Sequence, residues 1–153
     1  MVRPDKIETA LLDASCLLGV IVADPEFRAL GSLLAAVDRG EVRLVESTAI
    51  LAEVLVKHPK DTPRHALARK TLRSLLESPE TELVDVSTAV ARKAGELRVG
   101  HNLKTWDAVH LATAILASVD VLVVRDHKFP KGEFEGVYVT GPFDIDADKL
   151  PLG

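Results

Sequence analysis

Short apolar runs alternate along this chain with stretches of helical period. Thr9–Asp13 reads as a first strand and Ser15–Val22 as a short helix stopped near Asp24-Pro25. Leu30, Leu33, Leu34 and Val37 recur at i, i+3, i+4 and i+7, which predicts a helix over Phe27–Asp38 ended by Gly40. That stripe is either core or a dimer face. Val42–Val45 is a second strand, after which Ser47 or Thr48 would cap a helix running to about Lys57. Thr62-Pro63 opens a further helix, with Pro63 suited to its first turn, and the helix ends near Pro79. Glu82–Val86 is a third strand, Ser87–Val99 a helix closed at Gly100, and Lys104–Ala117 another helix. Asp120–Val124 reads as a fourth strand and Gly136–Thr140 as a fifth.

Strands alternating with helices indicate an α/β sandwich around a mostly parallel sheet of four to five strands. No repeat, low-complexity tract or internal linker divides the chain, so residues 1–153 are expected to form one domain, with an irregular acidic tail from about 141. Ligands of such sheets gather beyond the carboxyl ends of the strands, where the strand order reverses.

Four carboxylates break this pattern. Asp13 interrupts the apolar run from Ala10 to Leu18, and Glu53 the run from Ala49 to Val56; Asp107 falls in Trp106-Asp107-Ala108-Val109, and Asp126 ends Val121-Leu122-Val123-Val124-Arg125. An ionised carboxylate among apolar groups is costly unless it is paired or bound to metal. Any one of the four is explained by a solvated edge; together they suggest convergence on a divalent cation. Mg²⁺ and Mn²⁺ take oxygen ligands of this kind, and one or two such ions can activate water and stabilise the leaving oxygen of a phosphodiester. No separate Ser, Cys or His nucleophile is then required, in keeping with a chain that has no Gly-x-Ser-x-Gly elbow.

Bulk composition changes the picture only modestly. At 47% apolar and 27% charged residues the 153-residue chain is globular, and its formal charge of −4 gives no overall attraction to nucleic acid. The one cysteine, Cys16, excludes an internal disulfide and, among apolar neighbours, reads as a small buried hydrophobe. No stretch is long enough to span a bilayer and no signal-peptide pattern stands out, which points to a cytoplasmic protein without a membrane partner. The most basic stretch gathers Lys57, Lys60, Arg64, Arg69, Lys70 and Arg73 with His58 and His65. It is either a solvated helix face or a contact for a nucleic-acid backbone.

Leu11-Leu12-Asp13-Ala14-Ser15, Ser47-Thr48-Ala49-Ile50-Leu51-Ala52-Glu53-Val54, Asp107-Ala108-Val109-His110-Leu111-Ala112-Thr113-Ala114 and Leu122-Val123-Val124-Arg125-Asp126-His127-Lys128-Phe129 together resemble the PIN-domain family, and within it the VapC-type toxins of toxin–antitoxin pairs. The resemblance extends over nearly the whole chain. It implies a three-layer α/β/α fold, Mg²⁺- or Mn²⁺-dependent endoribonuclease activity, homodimerisation and inhibition by a VapB-like antitoxin. It places Asp13, Glu53, Asp107 and Asp126 on the family's acidic quartet and Ser15 on its usual hydroxyl or amide position. One departure stands out: Val124 occupies a position where the family often has Thr, Ser or Asn.

Several residues carry two readings. Ser15 is a helix N-cap or a site residue, and Arg125 and Lys128 either hold a scissile phosphate or decorate a solvated strand end. His110 shares a helix face with Asp107 but imidazole is a poor partner for Mg²⁺, and Trp106 reads as a core anchor or as a base-stacking residue near the rim. The main alternative to a nuclease is a non-catalytic PIN-like module that binds RNA or protein, supported by Val124. A phosphoaspartate receiver is disfavoured, because Asp5 and Lys128 are poorly placed beside Asp13.

Overall fold

The computed structural model describes residues 3–147. Six strands form one sheet in the order β3-β2-β1-β4-β6-β5. They are β1 (Thr9–Leu12), β2 (Arg43–Ser47), β3 (Thr81–Val84), β4 (Val121–Val123), β5 (Gly132–Phe134) and β6 (Val137–Thr140). All neighbours run parallel except β5 and β6. The helices are α1 (Ala14–Val22), α2 (Gly31–Asp38), α3 (Ala49–Val54), α4 (Pro63–Leu76), α5 (Thr88–His101) and α6 (Thr105–Leu116).

The central strands are apolar throughout because both of their faces are covered, as parallel sheets require. Their two-residue period sorts side chains between two cores. Ala10, Leu12, Leu44, Val121 and Val123 pack beneath α1, α2, α3 and α4, while Leu11, Val45, Leu122, Val137 and Val139 pack against α5 and α6. The stripe of Leu30, Leu33 and Val37 lies in the first core, with Leu34 packed against it. That accounts for it without a dimer face. At the amino ends of the strands, the Asp120 carboxylate accepts hydrogen bonds from the Glu8 and Thr9 amides, at 2.8 and 3.1 Å. This clamps β1 to β4.

Three elements differ from expectation. The sheet has six strands rather than four to five, because β5 folds back on β6 through a two-residue turn. Glu135 and Gly136 both take positive φ there, at 48° and 91°, the arrangement of a type I′ hairpin. The single helix expected over Phe27–Asp38 is instead a 3-10 segment, Pro25–Leu30, followed by α2. Three residues per turn put Phe27 and Leu30 on one side, and both are buried. Phe27 lies so close to Gly19 that a Cβ there would come within 2.1 Å of the ring. Finally α3 stops at Val54 instead of about Lys57, where the Arg69 guanidinium takes the Val54 carbonyl at 2.9 Å and the chain turns toward Pro59.

After Thr140, residues 141–147 contain no strand or regular helix, yet Phe143 and Ile145 pack on the first core. The remainder of the expected tail lies outside the described residues. No helix among the described residues is long and apolar enough to cross a membrane.

Candidate functional site

Strand order reverses at β1, which has β2 and β3 on one side and β4, β6 and β5 on the other. The crevice between β1 and β4 is therefore the switch point where such sheets bind ligands. An open cleft of about 440 Å³ lies there, lined by Asp13, Ser15, Glu26, Lys104, Asp107, Arg125, Asp126 and His127. Three of the four predicted acids meet in it.

Asp13 follows β1 directly and caps α1. One carboxylate oxygen accepts from the Cys16 amide at 2.8 Å, the other from the Arg125 amide at 2.9 Å, and its own N–H continues the ladder to Val123 at 3.0 Å. The side chain is thus held by backbone donors from both sides of the crevice. Because Asp13 fills the capping role, Ser15 does not; it sits in the first turn of α1, exposed and facing the cleft. Asp107 lies in the first turn of α6, whose N-cap is Lys104. Asp126 lies beyond β4 in a turn where its carboxylate accepts from the Lys128 amide at 2.8 Å. The Lys131 ammonium donates to the carbonyls of Asp126 and Phe129, both at 2.8 Å, and pins that turn.

Electrostatics in the cleft favour a cation. Burial raises the pKa of Asp107 above its ordinary 3.8, and the negative charges of Asp13 and Asp126 add to the shift against the opposing effect of His110 and Lys104. Asp126 is lowered, chiefly by the Lys128 amide, with help from Lys104, Lys128 and Lys131. Asp13, Asp107 and Asp126 line one cleft and offer oxygen donors, the ligand type a hard divalent ion takes. Among the described residues, no three His, Cys, Asp or Glu side chains are drawn together as a preformed cage.

Glu53 stands apart from the other three. It is near the end of α3, it does not line the cleft, and the ring of His110 donates to it from Nε2 at 2.5 Å. His110 thus serves an acid instead of facing the cleft beside Asp107. Of the basic candidates, Arg125 lines the cleft but its guanidinium reaches toward Glu26 at 3.4 and 3.5 Å. Lys128 contributes its backbone N–H, and its ammonium is absent from the cleft wall. Trp106 is 49% exposed and is no core anchor, because the first turn of α6 stands at the protein surface. Val124 is buried, its amide bonded to the Thr140 carbonyl at 2.9 Å, so its apolar side chain belongs to the core.

One acid was not foreseen. Glu46 on β2 is completely buried; one oxygen accepts from the Leu12 amide at 2.9 Å and the other has no partner among the described residues. Burial, reinforced by Asp13 and Glu53 against the opposing Leu12 amide, raises its pKa well above the ordinary 4.5. The available signal was its two-residue spacing from Leu44, which puts it on a buried face; ending the strand at Val45 concealed this.

The family model described as PIN domain matches residues 10–135. No curated protein sequence matches the chain. Among solved structures, the chain is similar to one titled "Toxin-antitoxin complex from Klebsiella pneumoniae", with a TM-score of 0.63 and 23% identity over 88% of this chain and 98% of that one. It is also similar to VapBC2 from Rickettsia felis bound to a DNA fragment from their promoter, at a TM-score of 0.61 and 18% identity over 87% and 98%. DNA-bound VapBC from Salmonella typhimurium gives 0.62 and 16% over 88% and 98%. At these identities the likeness is one of fold.

Proposed function

Because the chain belongs to the PIN domain family, we propose that it is a cytoplasmic, divalent-metal-dependent endoribonuclease, the toxin of a toxin–antitoxin pair. The observation that carries this reading is the meeting of Asp13, Asp107 and Asp126 in one cleft at the β1–β4 switch point. Together with Glu53, brought in from α3, they would hold Mg²⁺ or Mn²⁺, as one ion or two. Held by these residues, such an ion would lower the pKa of a water and stabilise charge on the leaving oxygen of the RNA phosphodiester.

The chain's own residues set the frame for that chemistry. Two backbone amides fix the Asp13 carboxylate, so little reorganisation is needed when a cation arrives. The Lys131 clamp holds the Asp126 turn. Ser15 and Arg125 at the cleft wall would meet a ribose or phosphate oxygen, and Lys128, in the Asp126 turn, would border the path of the backbone. A VapB-like antitoxin and a second copy of the chain are the proposed protein partners. The toxin–antitoxin complexes of similar fold support the first of these.

A non-catalytic PIN-like module that binds RNA or protein is the second reading. Two observations favour it: Val124 turned into the core, and Glu53 engaged by His110. Incubation of total RNA with the protein in Mg²⁺, Mn²⁺ or EDTA, beside Asp107→Asn, separates the two. Cleavage in either metal that is lost in EDTA and in the variant supports the nuclease. Equal cleavage by both proteins, or binding without cleavage, contradicts it.

A further inference from the structure

The acidic cleft must admit a polyanion, yet its carboxylates repel one. Four lysine and arginine side chains stand at or beside it; Lys128, in the Asp126 turn, offers the cleft its backbone N–H and is not part of the wall. Arg125 is directed to Glu26 at 3.4 and 3.5 Å. Lys131 spends its ammonium on two backbone carbonyls. Lys104 lines the cleft and is exposed; its carbonyl accepts from the Ala108 amide, while its ammonium has no hydrogen bond or ion pair among the described residues.

From this contrast, and on the nuclease reading above, we infer that Lys104 is the residue that grips the scissile phosphate of the RNA. Its backbone is fixed as the N-cap of α6, three residues before Asp107, so its anchor is rigid while the head is free. Lys104 shares the cleft wall with both Asp107 and Asp126, so its head stands within the same cleft as the acid at the helix start and the acid beyond β4. A lysine there acts as a point charge toward a phosphate oxygen, without the fixed fork of an arginine. It also offsets part of the repulsion that the acids exert on the rest of the RNA backbone. Arg125, by comparison, must first leave Glu26.

The assignment makes opposite predictions for substrate and metal. Lys104→Met removes a substrate contact, so KM for a mixed-sequence single-stranded RNA oligonucleotide in Mn²⁺ rises about tenfold while kcat holds, the loss expected of one charge-assisted contact that acts on binding. The slope of log(1/KM) against log[KCl] becomes shallower by about 0.7, the change for one lost contact to a single-strand phosphate. Lys104→Arg retains most of the wild-type KM. Without RNA, Mn²⁺ binds Lys104→Met at least as tightly as wild type, since a positive charge has left the neighbourhood of Asp107 and Asp126. A merely structural lysine would weaken metal binding instead. Unchanged KM and salt slope in Lys104→Met, or weakened Mn²⁺ binding, overturns the assignment while leaving the nuclease intact. A wild-type protein that neither binds nor cuts RNA overturns both.

Discussion

His110 Nε2 lies 2.5 Å from a carboxylate oxygen of Glu53, joining the buried face of α6 to the last turn of α3. The ring is 2% exposed and its other nitrogen, Nδ1, has no partner among the described residues. A carboxylate only accepts, so the shared proton is the one on Nε2, which His110 donates to Glu53. His110 thereby holds in place the one acid of the predicted quartet that does not line the cleft.

His110→Leu therefore frees Glu53 and weakens Mn²⁺ binding by about 10–100-fold, the usual effect of losing the partner that orients a metal-ligating group. His110→Gln keeps an N–H donor and recovers most of the affinity. Titration of Mn²⁺ followed by electron paramagnetic resonance checks both. Affinity in His110→Leu equal to wild type would mean that the pair has no part in metal binding.

Glu46 governs a pH dependence of stability. In the folded chain burial raises its pKa above the ordinary 4.5, so the folded state keeps a proton that the unfolded state has released. Stability attributable to this group therefore falls as pH rises from 4.5 toward the folded-state value. Glu46→Gln lacks the titration, and its stability relative to wild type improves with pH by up to ~1.4 kcal/mol per unit over that window. Urea unfolding in EDTA from about pH 5 to about pH 8 measures the difference. Parallel profiles for the two proteins would show that Glu46 ionises normally.

The Gly19–Phe27 contact leaves no room for a side chain. Gly19→Ala is expected to destabilise the protein by about 1–3 kcal/mol through overpacking, partly offset by alanine's better helix propensity. Thermal unfolding of the variant gives the answer. A stability equal to or above wild type would mean that the 3-10 segment shifts to admit the methyl group.

Much of this was legible in the chain. Asp13 and Asp126 stood out because strands buried on both faces carry almost no polar residues, so an acid at the end of an apolar run marks a strand's carboxyl end. Asp107 stood out for breaking an apolar helix. Partnerships were not legible. Nothing local links Glu53 to His110 or Arg125 to Glu26, because the sheet brings them together from distant segments. Lys104 resembles any lysine before a helix until the fold turns it toward the acids. Trp106 misled because an apolar helix suggests burial all round, whereas the first turn of α6 reaches the surface. β5 was missed because Glu135-Gly136 lacks the Asn-Gly or Asp-Gly signal of a tight hairpin.

Calorimetric titration of Mn²⁺ into the wild-type protein, Asp13→Asn and Asp107→Asn tests most directly whether these acids share a cation. The expected result is saturable binding to wild type at neutral pH, weakened at least tenfold in each variant with the thermal midpoint of the fold retained. No binding heat in wild type, or equal affinity in all three proteins, would contradict it.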